Sequence, residues 1–175
     1  IEKYLENFKT ENKNDNLGGF FRIKYKKNFL IIDIDKPPQK KFSKSYQSGP
    51  LSFEYFLDGI KIITNSGFGS HISKKAELIS KHTACQSTLT INDTSITKFE
   101  KNKMINKVFG NSIQNSFKSF DFSSKNENNL IGCSSSNNGY EKRFGYIHTR
   151  SIKISKNDDK ILGKEELKKT KNCSK

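Results

Sequence analysis

An all-β, antiparallel multi-stranded β-sandwich is the fold that this sequence predicts, and three observations predict it. Apolar residues recur at every second position along several segments, as in strands that bury one face. Turn dipeptides such as Asp58-Gly59 separate those segments, and such pairs close tight hairpins. No helical pattern long enough to cross between parallel strands stands anywhere in the chain, so βαβ architecture is excluded.

The elements follow in chain order. Residues 1–16 read as a short helical stub and linker, because Ile1, Tyr4, Leu5 and Phe8 keep helical spacing before a polar run. FFRIKY and NFLIIDID form a hairpin turning around Lys27-Asn28, and Pro37-Pro38 ends its second strand. Along LSFEYFL, Leu51, Phe53, Tyr55 and Leu57 share one face, and IKIITN returns after Asp58-Gly59. SKKAELIS makes one or two helical turns, and ACQSTLTI is a strand stopped at Asn92-Asp93. Residues 98–129 are polar with isolated aromatics and read as short strands and long loops. NLIGCSS and RFGYIHTRSIKIS are strands, with Phe144, Tyr146, His148, Arg150 and Ile152 on one face of the second. Asn157-Asp158-Asp159 turns the chain into KILG. This divides the chain into the stub at 1–16, a sheet domain at 17–167 and a basic tail at 168–175.

Composition narrows function. The formal charge is +14, yet of 32 basic residues all but Arg22, Arg143 and Arg150 are lysine. Nucleic-acid sites draw on arginine for bidentate phosphate and base contacts, and no basic stripe interleaves with aromatics, so no nucleic-acid partner is expected. The charge suits another polyanion, such as an acidic polysaccharide. Fourteen Phe and six Tyr supply the core that a hydrophobic content of 32% would otherwise leave thin. No apolar run approaches the ~18 residues that span a bilayer. The chain opens on Ile1 and its one methionine is Met104, a pattern expected of an internal fragment.

Chemistry-bearing residues are sparse. Cys85, Cys133 and Cys173 form no CxxC pair; one disulfide fits, but no framework or metal site is defined. His71, His82 and His148 stand at no metal-ligand spacing. His71 and His82 read as solvated loop histidines, while His148 is either part of a cross-strand polar cluster with Tyr146 and Arg150 or a general base. No phosphate loop or nucleophile elbow is present.

The run SGPLSFEYFLDGIKIITNSGFG, followed by KHTACQSTLTINDTS and NNGYEKRFGYIHTR, resembles the heparinase II/III-like family. The lead-in GGFFRIKYKKNFLIIDID matches the first hairpin of that family's C-terminal sheet domain, and KILGKEEL its glycine-acidic turn. The resemblance implies a lyase of acidic polysaccharides. Such an enzyme removes the proton alpha to a uronate carboxylate and expels the 4-linked sugar, which needs a base, a carboxylate neutraliser and an acid. In the family an upstream α/α toroid supplies part of that set, and the sheet domain adds histidines and often a zinc. Where the family carries His-x-His-x-Asp, this chain has Ser45, Gln47 and Gly49; the family's histidine before Ser-Thr-Leu is Gln86. Relatives with His-Asp-Gly-Tyr correspond here to Asn137-Asn138-Gly139-Tyr140. Amides keep hydrogen-bonding capacity but take no proton near neutral pH and are poor zinc ligands, so no cofactor and no metal site are expected.

The expectations are therefore a sheet domain from a periplasmic or cell-envelope lyase, itself inactive, with no assigned catalytic residue. Gln47, Gln86, Asn138, Tyr140, Tyr146, His148 and Arg150 are its candidate substrate contacts. Its partners would be an acidic polysaccharide and the upstream toroid. A non-catalytic glycan-binding domain and a purely structural sandwich are the alternatives.

Overall fold

The computed structural model describes residues 16–170. The helix expected in the stub lies outside them, apart from Asn16, which opens the first strand. Two antiparallel meanders account for the strands. The first runs β1 (Asn16–Leu17), β2 (Phe20–Tyr25), β3 (Asn28–Asp33), β4 (Phe53–Leu57) and β5 (Ile60–Ile63), each paired with its chain neighbour. The second runs β6 (Ser119–Asn126), β7 (Leu130–Asn137), β8 (Tyr146–Ser155) and β9 (Ile161–Lys169) in the same manner.

Period two decides what each strand buries. Phe21, Ile23, Leu30, Ile32, Ile34 and Tyr55 from the first sheet meet Ile131, Cys133, Ile152 and Ile154 from the second in one core cluster. Each fully buried Ile or Leu there contributes about 1.5–3 kcal/mol. Phe53 and Leu57 pack against the same cluster, as the alternation in LSFEYFL requires. Tyr55 is buried, and its hydroxyl donates to the Oδ1 of buried Asn28. That bond pins Asn28 inside β3, so the hairpin turns on Lys26-Lys27, one residue earlier than expected, with Lys26 at φ 49°.

Residues 64–118 connect the sheets and depart most from expectation. The helix in SKKAELIS is present as α1 (Lys74–Ser80), capped by Ser73 Oγ on the amide of Ala76 at 3.0 Å. ACQSTLTI is not a strand. Its neighbours' backbone groups are met by side chains instead of a ladder: Ser87 Oγ accepts from Phe53 N at 2.8 Å and donates to Phe53 O at 2.5 Å. Thr88 Oγ1 donates to Pro50 O at 2.7 Å. Short polar side chains compete with secondary structure in this way.

Within the region read as strands and loops, α2 (Lys103–Phe109) forms between an Asn102 cap and Gly110 at φ 65°, both ordinary helix-ending signals. Phe144 belongs not to β8 but to the short α3 (Glu141–Phe144), and Gly145 at φ 71° reverses the chain into β8. β9 runs to Lys169, two residues beyond the expected end of the sheet domain, because KEELKK pairs along the whole of β8.

Candidate functional site

The seven candidate contacts fall into separate groups rather than one cleft. The most connected is on β8, whose alternate residues His148, Arg150, Ile152 and Ile154 all point inward. Ile152 and Ile154 meet the opposite sheet, but at Arg150 the facing partner is irregular chain carrying bare carbonyls. Arg150 is 6% exposed, and its Nη1 donates to Leu51 O and Ser87 O, both at 2.5 Å. Its Nε donates to Glu165 Oε1 at 2.6 Å, directly across the β8–β9 ladder. The guanidinium also lies 5.2 Å from the Phe53 ring centroid.

Glu165 joins the second residue to this set, because its Oε2 is 2.5 Å from His148 Nε2. On the other side of the ring, His148 Nδ1 faces Asn137 Nδ2 at 3.2 Å. Asn137 Oδ1 already accepts from Gly139 N at 3.1 Å, so its NH₂ group is the end that meets the imidazole. An amide NH₂ only donates, which makes Nδ1 the acceptor and places the imidazole proton on Nε2, toward Glu165.

Burial pushes the Glu165 carboxyl up, but the hydrogen bond from His148 and the Arg150 charge outweigh it and hold it below its usual range. Burial lowers Arg150, with Glu165 opposing. Three hydrogen-bonded partners engage Arg150 and two engage His148, which has no exposed surface. Arg150 was a candidate substrate contact; three of its donors instead tie Leu51 and Ser87 to Glu165 of β9. For His148 the cross-strand cluster is the arrangement found, and no solvent path reaches the ring for base chemistry.

Gln47 and Gln86 come together as the sequence suggested. Gln86 Nε2 donates to Gln47 Oε1 at 3.3 Å and to Ser80 O at 2.9 Å. Both side chains are half-buried. The zinc that the resembled family carries does not fit here. A Cβ on Gly49 would come 2.9 Å from Ser52 Oγ and 3.0 Å from Gln86 Cγ, so an aspartate has no room. Among the described residues no three His, Cys, Asp or Glu side chains gather where a metal ion could sit, and the amides present are weak zinc donors.

Asn138 and Tyr140 stabilise the turn between β7 and α3. Asn138 Oδ1 accepts from Lys118 N at 2.7 Å, and the buried Tyr140 hydroxyl donates to Thr94 O at 2.6 Å. Tyr146 is half-buried at the start of β8, opposite Lys169. Cys85 and Cys133 are free thiols, and burial pushes Cys133 up to about 12; Cys173 lies outside the described residues. Glu165 is the functional residue that sequence reasoning missed. Its signal was an acidic residue in register with Arg150, hidden in a segment with no apolar period.

The chain is thus a mostly-β sandwich domain. The family model described as Heparinase II/III-like, C-terminal, matches residues 10–172, well over half of the chain, and the chain belongs to that family. A solved structure titled "Crystal Structure of Heparinase III" is similar at 14% identity over 88% of this chain, with a TM-score of 0.43. The chain corresponds to 27% of that structure's length. No curated protein matches it. No described helix is long and apolar enough to cross a membrane.

Proposed function

We propose that this chain is the sheet domain of a polysaccharide lyase that cleaves uronic-acid glycans by β-elimination, and that it supplies scaffold rather than proton-transfer groups. Family membership over residues 10–172 supports the lyase relation. The single observation behind the scaffold role is the Gln86–Gln47 bond. Amides stand where the family places histidines, and neither can act as base or acid near neutral pH. An upstream α/α toroid would then provide the base and the carboxylate neutraliser. The compartment that goes with this reading is the periplasm or cell envelope, as in the resembled family.

Incubation with heparin, heparan sulfate and alginate tests it through the ultraviolet absorbance of the unsaturated product. A longer protein carrying this domain and its upstream sequence is expected to form that product, and this chain alone none. Product from the isolated chain overturns the scaffold role. Metal content is an independent check. Elemental analysis after dialysis should find far less than one zinc per molecule, and a chelator should leave the melting temperature unchanged. A stoichiometric zinc would mean that Gln47, Gly49 and Gln86 do not occupy the family's ligand places.

A further inference from the structure

Each sheet ends in two edge strands, and three of the four edges are blunted. β1 has only two residues. The β4–β5 ladder shifts register between Tyr55 and Phe56. β6 carries a shift between Phe120 and Ser123, with Asp121 at φ 54°. Short strands and bulges are the usual protection of an open sheet edge. β9 has neither. It pairs with β8 in unbroken register from Ile161 to Lys169, and every residue of it except Ile161 is exposed.

The backbone groups on that edge point outward in a fixed pattern. Thr170 N donates to Gly145 O at 2.8 Å and Ser155 N to Lys160 O at 2.9 Å, both in line with the β8–β9 register. Hydrogen-bonded pairs recur at every second residue of an antiparallel ladder, so the even-numbered residues of β9 bond to β8. The N–H and C=O groups of Ile161, Gly163, Glu165, Leu167 and Lys169 therefore face away from it, and no described strand meets them.

The side chains on this edge read Glu165-Glu166-Leu167-Lys168-Lys169, an order that complements itself when reversed. We infer that β9 pairs antiparallel with β9 of a second copy of this chain, about a two-fold axis at Leu167, joining the two four-stranded sheets into one. In that register Leu167, 43% exposed, meets its own copy. Glu166 faces Lys168 on the outer face, and Glu165 faces Lys169 on the inner one. Opposite charges directly across a ladder stabilise it, and like charges oppose it. Glu165 is already held by Arg150 and His148, so the Glu166–Lys168 pairs set the register. Glu166 also lies 2.7 Å from Lys164 of its own strand, an exposed ion pair that contributes little. Other registers that use the same outward groups fit worse. Centring on Glu165 sets two Glu165 carboxylates against each other, and centring on Gly163 carries Lys168 and Lys169 past the end of the partner strand. The charges that deter indiscriminate pairing thus admit one arrangement.

Strand pairing alone buries less than the ~1,200–2,000 Å² of a stable interface, so the dimer is weak and depends on concentration. Analytical ultracentrifugation of the whole chain should show reversible dimerisation by about 1 mM protein. Glu166→Lys and Lys168→Glu each set like charges across both symmetry-related pairs and should weaken the dimer at least about tenfold. The two substitutions move the net charge in opposite directions, so a diffuse field does not produce loss from both. The swap Glu166→Lys/Lys168→Glu should restore association to within about threefold of the wild type. An equimolar mixture of the two single variants should associate where neither does alone. Hydrogen exchange at the amides of Glu165 and Leu167 should slow as wild-type concentration rises. A wild type that stays monomeric at the highest concentration overturns the inference, as does a single variant that dimerises normally or a swap that stays monomeric. Dimers that leave those two amides unprotected place the contact elsewhere and overturn it as well. None of these readouts involves a glycan, so the result is independent of the lyase reading.

Discussion

Arg150 and Lys101 carry the same charge and sit in opposite circumstances. Arg150 is 6% exposed, with its guanidinium held by Glu165, Leu51 O and Ser87 O. Lys101 is exposed just before α2 with no ion pair among the described residues. Three donors of the Arg150 guanidinium find acceptors inside the chain, whereas Thr97 Oγ1 and Asn106 Oδ1 are buried without a partner. Matched buried groups secure the structure, while unmatched ones bear their desolvation penalty. Residue type alone does not separate the two cases.

The sharpest way to break this contrast is Arg150→Ala. It strands two carbonyls and the His148–Glu165 pair, so unfolding stability should fall by about 3 kcal/mol, measured by urea titration. Glycan affinity per folded molecule should not change. A stable variant with lost affinity would return Arg150 to the binding site and undo the distinction.

Asp33 supplies an intermediate case, a half-buried carboxyl near Tyr46 with no ion pair among the described residues. Burial raises it to about 7 from 3.8, opposed by its hydrogen bond from the amide of Asp35. The unfolded chain releases this proton near the lower value and the folded chain only near the higher one. Stability therefore falls as pH rises between the two, and the penalty is fully present above about 7. Asp33→Asn keeps the bond to Asp35 N and removes the charge. It should gain on the order of 2 kcal/mol at pH 8 and flatten the slope across that window. Unchanged pH dependence of the melting temperature would mean that Asp33 ionises as it does in solvent.

The smallest effect is expected from Lys101→Ala, an exposed substitution. Its stability should stay within about 0.5 kcal/mol of the wild type, while binding of an alginate tetrasaccharide weakens and the residual affinity becomes less sensitive to salt. Exposed charges act over only ~3 Å at about 1 M salt, so bulk attraction vanishes there for both proteins. A Lys101→Ala variant that binds normally at low salt would show that this residue takes no part in glycan binding.

Where strands bury one face, the pattern was legible. Phe53, Tyr55 and Leu57 announce a shared face because alternation is a local property of the chain, whereas Leu51, expected with them, lies before β4 at φ 59° and outside their cluster. Asp58-Gly59 announces its turn, and Asp58 and Gly59 both adopt the positive φ that the turn needs, 51° and 79°. ACQSTLTI misled because its alternation looks the same whether the backbone pairs with another strand or with Ser87 and Thr88 side chains. The helix at 103–109 was signalled by Asn102 and Gly110 but masked by surrounding lysine and asparagine. That Gln47 and Gln86 meet was not legible, because they lie far apart in the chain and only folding brings them together.

By itself, then, the sequence determined the all-β class, most strand positions and, through its ordered motifs, the family. These are properties of periodicity and residue identity, both written along the chain. Only the tertiary structure decided that Arg150 and His148 are internal, because burial depends on Leu51 and Ser87 arriving across the sandwich and on Glu165 arriving in register. The two unpartnered oxygens were equally invisible beforehand. Thr97 and Asn106 are unremarkable polar residues until packing encloses one oxygen of each and brings it no partner.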